Sequence, residues 1–429
     1  MDKRQVRGAG VMVGAVLVVG GVALLTADHT PPPPELSERW VSDPMSQVQE
    51  PDDVVATWLT DDTVVAVTAH GTWAFEAATG QRRWNLNVRE TSLAPCAAST
   101  EPNADGIAAM IFEDVAGPPD TEESRRCDTV GAVDTRTGEL LWSVRLDGAL
   151  RWIEREDPPV QPSGWVGVPV TTGNEVITVD LGGGISHRFS LDGTELPLPE
   201  APDGDRCPDG MPPEGTRWVQ GREHTLVIPL CWERTITAFA TGSGEELWTA
   251  PTEADWTQET YAILSDAPLV VGTTASAAVY GPDGNWVATS SYRAGLNGTP
   301  LLLGESLLVA PGGYASDRWL KGFDLASDTE WIYERPERSV LAGAREDHVL
   351  LLSPAGPAED DEAEKNEDGG DYHLLRVGAA NGETAEEGII RARTVIAAVT
   401  DEETLYTITL NQTPGRHWEA RLVAHDLPR

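Results

Sequence analysis

A short turn-and-strand pattern that returns along the chain is the feature that most constrains its fold. Its fullest copy, Ala132–Trp142, places a tight turn at Gly138 between two strands and a tryptophan four residues after that glycine. Glycine suits such a turn because it adopts positive φ angles without a Cβ penalty. The same spacing recurs in two further full copies, Gly80 with Trp84 and Gly244 with Trp248.

Looser copies extend the pattern over most of the chain. They surround Gly193, Gly284, Trp331 and Gly382, so the hairpin returns roughly every 40 to 58 residues. Such a period is typical of radial or solenoid β repeats. The repeats cover residues 54–88, 92–146, 164–198, 217–251, 261–292, 300–334, 339–392 and 394–427.

The first repeat indicates what one unit contains. Residues 54–88 divide into four short strands separated by turn residues, which is the content of one propeller blade. We therefore predict an all-β fold, an eight-bladed β-propeller over residues 36–429, with seven blades as the alternative. The tryptophans at the repeated position, Trp84, Trp142, Trp248 and Trp331, are expected to pack between blades.

The last repeat supplies three strands and lacks the fourth, which carries the tryptophan in other copies. The segment Leu36–Ser42 contains Trp40 and resembles that missing strand, with Leu36 in place of the turn glycine. We predict that it pairs with Arg421–Leu427 and closes the ring, which would remove a free strand edge.

The segment Ala132–Trp142 resembles the Ala-x-Asp-x-x-Thr-Gly-x-x-x-Trp signature of PQQ-binding-like β-propeller repeats, and the resemblance covers about residue 52 to the carboxyl end. The third, seventh and eighth repeats lack the tryptophan. In the fifth repeat Trp286 comes two residues early, and the sixth is one residue short between turn and tryptophan. These departures affect the blade boundaries more than the fold.

The resemblance also bears on activity, because the family includes quinone-dependent dehydrogenases with a Ca²⁺ site and a catalytic carboxylate. Its alcohol-oxidising members use a disulfide between adjacent cysteines, whereas no two cysteines are adjacent here. No set of polar residues matches the cofactor site residue by residue, and no histidine has a metal-ligand spacing. We expect no enzyme activity, no bound cofactor and no catalytic or metal-binding residues.

The amino-terminal region is predicted to anchor the chain in a membrane. Residues 8–27 carry no charge and are long enough to span a bilayer, and residues 1–7 form a basic tail expected to stay in the cytoplasm. Residues 28–35 include four consecutive prolines and predict a stiff spacer. The alternative is a cleaved signal peptide, which Leu25 at position −3 disfavours. The expected location is the cell membrane, with a single span and the propeller outside the cytoplasm.

The cysteines fit an oxidising compartment, since there are four of them in a domain predicted to lie outside the cytoplasm. Two disulfides are predicted, Cys96–Cys127 and Cys207–Cys231. The members of each pair lie within or beside one repeat, so that folding of the sheet can bring them together.

The net charge of −38, with lysine only at positions 3, 321 and 365, disfavours nucleic acids and anionic membrane surfaces as partners. Four less regular tryptophans, Trp165, Trp218, Trp232 and Trp286, are candidates for a ligand face. The sequence predicts a membrane-tethered, extracytoplasmic, non-catalytic interaction or scaffold module of the cell envelope, with an unidentified envelope protein as partner. The alternative is a sensor for a quinone or sugar, or a PQQ-dependent dehydrogenase-like enzyme.

Overall fold

The computed structural model describes residues 33–45, 48, 53–115, 127–146, 170–181, 186–199, 216–229, 235–251, 261–273, 276–291, 298–304, 306–311, 319–324, 329–334, 339–345, 347–355, 370–412 and 418–428. Within these ranges the strands form eight four-stranded antiparallel sheets. The predicted membrane segment, 8–27, lies outside the described residues. Inside them, none of the helical structure has the length and apolar character needed to cross a bilayer.

Seven of the sheets are built from four strands that are consecutive in the chain, and β1 (Glu38–Val41) precedes them all. The first four are sheet 1 (β2 Val54–Leu59, β3 Thr63–Thr68, β4 Gly71–Glu76, β5 Arg82–Asn87), sheet 2 (β6 Leu93–Ala98, β7 Ile107–Asp114, β8 Cys127–Asp134, β9 Leu140–Arg145), sheet 3 (β10 Val170–Thr172, β11 Val176–Asp180, β12 Ser186–Ser190, β13 Glu195–Leu196) and sheet 4 (β14 Thr216–Gln220, β15 His224–Pro229, β16 Thr235–Ala240, β17 Glu246–Pro251). One helical turn, α1 (Val88–Thr91), joins sheets 1 and 2.

The remaining sheets follow the same order along the chain until the last, which has three consecutive strands. They are sheet 5 (β18 Tyr261–Asp266, β19 Leu269–Thr273, β20 Ser276–Tyr280, β21 Trp286–Ser291), sheet 6 (β22 Gly298–Leu303, β23 Ser306–Pro311, β24 Trp319–Asp324, β25 Thr329–Glu334), sheet 7 (β26 Val340–Ala344, β27 His348–Pro354, β28 Gly370–Gly378, β29 Thr384–Ala392) and sheet 8 (β30 Thr394–Thr400, β31 Thr404–Gln412, β32 Trp418–Asp426).

Consecutive sheets pack face to face, and the apolar core is divided among these interfaces. Val65 of sheet 1 packs with Met110 and Phe112 of sheet 2, and Ile408 of sheet 8 packs with Phe75 of sheet 1. The first strands of neighbouring sheets contact one another, as β2 does with β6 and β14 with β18, and β30 contacts β2. The sheets therefore surround a common centre in the manner of a β-propeller.

The predicted closure of sheet 8 is confirmed, because β1 adds to β32 as the fourth strand. Trp40 lies opposite Ala424, and Val41 lies opposite Val423. The backbone N–H of Asp426 donates to the Ser37 carbonyl at 2.9 Å. The two ends of the domain are thus held in one sheet, and the edge of β32 is covered.

The segment before β1 also reaches the neighbouring sheet. The Leu36 N–H donates to the Ile389 carbonyl of β29 at 2.8 Å, and the Ile389 N–H donates to the Pro34 carbonyl at 2.9 Å. Leu36, which replaces the turn glycine, is buried in the cluster between sheets 7 and 8. Residues 34–45 therefore join both of the last two sheets.

The repeated tryptophans pack on the turn glycine of the following sheet, as expected for packing between blades. Each of these glycines has a positive φ angle, and a Cβ added at Gly138 would lie 2.5 Å from the Trp84 ring. Only glycine fits both the φ angle and the indole above it. The five pairs among the described residues are Trp40 with Gly80, Trp84 with Gly138, Trp142 with Gly193, Trp248 with Gly284 and Trp331 with Gly382.

A hydrogen bond fixes the indole in four of these pairs. The indole N–H of Trp84 donates to the Thr135 carbonyl at 3.0 Å, and that of Trp331 donates to the Ala379 carbonyl at 2.8 Å. Trp40 and Trp142 make the equivalent bonds at 3.0 Å and 2.8 Å. Each interface therefore combines ring burial with a satisfied indole donor.

The interface between sheets 3 and 4 departs from this arrangement, because the third repeat has no tryptophan. A Cβ added at Gly244 would meet no atom of the described residues within 4 Å. The buried Arg188 side chain of β12 instead donates to the Thr241 carbonyl, three residues before the glycine, and to the Pro197 carbonyl at 2.8 Å. Burial lowers the pKa of this guanidinium. Arg188 thus supplies the donor that the missing indole would have supplied.

Candidate functional site

The structure contains one of the two predicted disulfides. Cys96 on β6 and Cys127 on β8 are bonded, with their Cα atoms 6.1 Å apart. Cys127 is buried in the cluster between sheets 2 and 3. Cys207 and Cys231 lie outside the described residues, so their pairing stays a prediction.

The tryptophans singled out as candidates for a ligand face have different positions. The Trp218 indole N–H donates to the Pro199 carbonyl at 3.3 Å, which makes it part of a loop contact. Trp286 is the first residue of β21 and is 49% exposed. Trp165 and Trp232 lie outside the described residues. Of the two described tryptophans, Trp286 is therefore the one with the exposed side chain.

Some histidine–carboxylate pairs in the structure hold turns. Asp266, the last residue of β18, accepts backbone N–H bonds from Arg222, Glu223 and His224 at 2.9 to 3.2 Å, and its Oδ1 lies 3.1 Å from His224 Nδ1. Burial acts to raise the pKa of Asp266, but these hydrogen bonds outweigh it and lower the pKa. Across the ranges that the structure covers, no group of three or more His, Cys, Asp or Glu side chains is arranged to hold a metal ion.

The fourth strand of each sheet lies at one of its edges, and several large apolar side chains are exposed there. The pair Trp286 and Val287 on β21 is the most prominent, at 49% and 62% exposure. The segment β21 (WVATSS) contains no charged residue, whereas each of the other fourth strands contains at least one. Four other fourth strands each expose one large apolar residue: Val41, Leu141, Leu247 and Ile332.

A polar groove lies where the two ends of the domain meet, and we call it the seam groove. It has a volume of about 340 Å³. Its walls come from the segment before β1, from the first residue of β1, from β29 and from β32. The residues that line it are Glu35, Leu36, Ser37, Glu38, Arg391 and His425.

The seam groove has an ion pair, a side-chain hydrogen bond and a buried imidazole among its lining residues. Arg391 pairs with Glu35 at 3.1 Å, and Ser37 donates to an Asp426 oxygen at 2.7 Å. His425 is 2% exposed, and its Nε2 lies 3.3 Å from the Thr407 hydroxyl, while its Nδ1 has no hydrogen-bond partner among the residues that the structure describes. Burial lowers the pKa of His425 to about 4, against a smaller opposing effect of Asp426.

The lowered pKa of His425 predicts a pH-dependent stability. An unfolded chain protonates this imidazole as the pH falls through about 6.5, whereas the folded chain resists protonation until about pH 4. The contribution of His425 to the free energy of unfolding is therefore fully present above pH 6.5 and is lost as the pH falls from 6.5 to 4. We expect a loss of about 2 kcal/mol between pH 7.5 and pH 5.

Urea unfolding at both pH values measures this loss. In His425→Phe, which has no titrating ring, the loss over the same interval should shrink by about 2 kcal/mol. An equal loss in both proteins would contradict the assignment to His425.

Comparisons with known proteins address the fold. No protein-family model matches the chain, and no curated protein matches it. Among solved structures, the carboxyl-terminal WD40 domain of Sif2 matches with a TM-score of 0.50 and 8% identity, over 92% of this chain and 99% of that one. BamB from Moraxella catarrhalis matches with a TM-score of 0.48 and 12% identity, over 90% of this chain and 100% of that one. The fold is a β-propeller.

A quinohemoprotein alcohol dehydrogenase from Pseudomonas putida HK5 is also similar, with a TM-score of 0.44 and 11% identity over 92% of this chain and 80% of that one. At such identities the similarity concerns the fold alone.

The sequence signal that could have found β21 is its lack of charge. The seam groove depends on contacts between residues more than 350 positions apart, and no local pattern indicates it.

Proposed function

We propose that this chain is a non-catalytic protein-interaction module of the cell envelope. In this proposal residues 8–27 span the membrane, residues 28–35 form a spacer, and the eight sheets are the blades of one closed propeller outside the cytoplasm. The closure of sheet 8 by β1 supports the blade number, because every sheet then has four strands.

The observation that carries the interaction role is the exposed edge strand β21. Natural proteins protect edge strands with charged residues, and β21 has none. Trp286 and Val287 expose large apolar surfaces on this strand, in a chain whose net charge is −38. Exposed apolar surface of this kind marks protein-interaction sites.

The geometry of β21 favours a partner that supplies an extended segment. Such a segment adds to an exposed edge through main-chain hydrogen bonds, and its apolar side chains pack beside those of the strand. Trp286 is of a residue type that contributes strongly at interfaces. The proposed partner is an envelope protein with an uncharged, apolar β segment.

The test uses the full chain in native membranes, with chemical cross-linking followed by purification and identification of the linked protein. Val287→Lys and Trp286→Lys are expected to reduce the recovered complex at least about tenfold. Leu141→Lys is the matched control, because Leu141 is 41% exposed on β9, the fourth strand of sheet 2. Equal recovery from all three variants would contradict the role of β21. Failure to recover any cross-linked protein with the unsubstituted chain would contradict the proposal that this edge has a partner.

A further inference from the structure

The seam groove presents more hydrogen-bond acceptors than free donors. Arg391 is already paired with Glu35, whereas Glu38 has no ion pair within the described part of the chain. The Ser37 hydroxyl uses its hydrogen on Asp426, so its oxygen is left as an acceptor. The groove therefore combines negative charge with unused lone pairs.

His425 adds a further unused nitrogen. In register, Glu38 lies directly opposite His425, so these two side chains share one face of sheet 8. When Nε2–H donates to the Thr407 hydroxyl, Nδ1 carries a lone pair. A buried polar atom without a partner costs free energy, which a ligand that donates a hydrogen bond would recover.

We propose that the seam groove binds a primary ammonium group. Its three N–H donors match the Glu38 carboxylate, the Ser37 oxygen and His425 Nδ1. The planar guanidinium of arginine is a poorer match, because its rigid fork suits one bidentate carboxylate better than three separate acceptors. This site is distinct from β21 and does not depend on the role proposed for that strand.

The first measurement compares methylammonium with tetramethylammonium at equal ionic strength and pH 7.5, by thermal unfolding of the full chain. Both ions carry one positive charge, but tetramethylammonium has no N–H donor. Methylammonium at ten times its dissociation constant is expected to raise Tm by about 2 °C. An equal rise in Tm with the two ions would show that the effect is charge screening, and it would overturn the proposal.

Two variants locate the site. Glu38→Gln changes an exposed side chain, and it is expected to weaken methylammonium binding about tenfold. His425→Phe keeps an aromatic ring and removes Nδ1, with a similar expected loss. Glu246→Gln is the matched control, because Glu246 has the position in sheet 4 that Glu38 has in sheet 8, but lies opposite Phe239. Equal weakening in Glu246→Gln, or none in Glu38→Gln, would contradict the assignment.

The ammonium group has two sources, a lysine side chain of another protein or a small free amine. Nα-acetyl-lysine methylamide and methylammonium distinguish them in the same assay. Binding of the lysine derivative at least about tenfold more tightly supports a protein lysine. Equal or weaker binding supports a free amine. Absence of binding by both compounds would overturn the proposal.

Discussion

Deletion of residues 34–45 is expected to lower the free energy of unfolding by at least about 5 kcal/mol, or to cause aggregation during purification. The deletion removes β1 and the segment that reaches β29. Leu36, Trp40 and Met45 leave the core with it, since Leu36 and Met45 are buried and Trp40 packs in the cluster between sheets 8 and 1. Loss of a large buried side chain typically costs 2–5 kcal/mol, and the deletion removes two such side chains together with the partly buried Trp40.

Two physical effects add to this loss. The edge of β32 becomes unpaired, which creates a template for pairing with another chain. The turn at Gly80 also loses the Trp40 ring that covers it, together with the indole hydrogen bond to the Ala77 carbonyl at 3.0 Å. The interface between sheets 8 and 1 is thus weakened at the point where the ring closes.

Addition of a synthetic peptide with residues 33–46 provides a matched rescue. The peptide should restore Tm of the deleted protein in a concentration-dependent manner, because it can pair again with β32. A peptide with Trp40→Ala should restore less, since the indole contacts are missing. An unchanged Tm after the deletion would show that residues 34–45 do not hold the ring closed.

The sequence predicted the architecture well in the segments that follow the repeated turn-and-strand pattern. The tryptophan positions, the missing fourth strand and the pairing of Leu36–Ser42 with Arg421–Leu427 all follow from comparing one repeat with the next. Such comparisons succeed because each repeat must bury the same surface against its neighbours.

Residues that depart from the repeat could not be predicted in this way. Arg188 takes the place of a missing indole, yet nothing in the local sequence of β12 distinguishes it from a surface arginine. His425 lies next to Asp426 on a strand end, where a solvent-exposed position was the natural expectation, but it is 2% exposed. Both depend on contacts with other sheets, which a single sequence does not specify.

The seam groove follows from the way the ring closes. In the other sheets the strand after the turn continues the same chain, whereas in sheet 8 it arrives from the amino-terminal side. Glu35 and Leu36 then stand where a turn would be, and their path onto Ile389 of β29 leaves the groove beside His425. Closure by a distant strand therefore creates a polar feature that the continuous repeats do not have.

Gly138→Ala and Gly244→Ala should separate the contribution of the tryptophan contact from that of backbone strain. The two glycines have the same place in their turns and nearly the same φ, 75° and 72°. Any L-residue pays about 1–2 kcal/mol at such an angle. A methyl group at Gly138 also meets the Trp84 ring at 2.5 Å, whereas at Gly244 it meets no atom of the described residues within 4 Å.

We therefore expect Gly138→Ala to lower the free energy of unfolding by about 3 kcal/mol and Gly244→Ala by about 1 kcal/mol, measured by urea unfolding. The same substitution at Gly138 in a Trp84→Ala background should cost no more than at Gly244, because the ring that it would strike is gone. An equal loss in the free energy of unfolding for both substitutions in the native background would show that the Trp84 indole moves aside without cost in free energy. The repeated tryptophan would then cover the turn without restricting which residue occupies it.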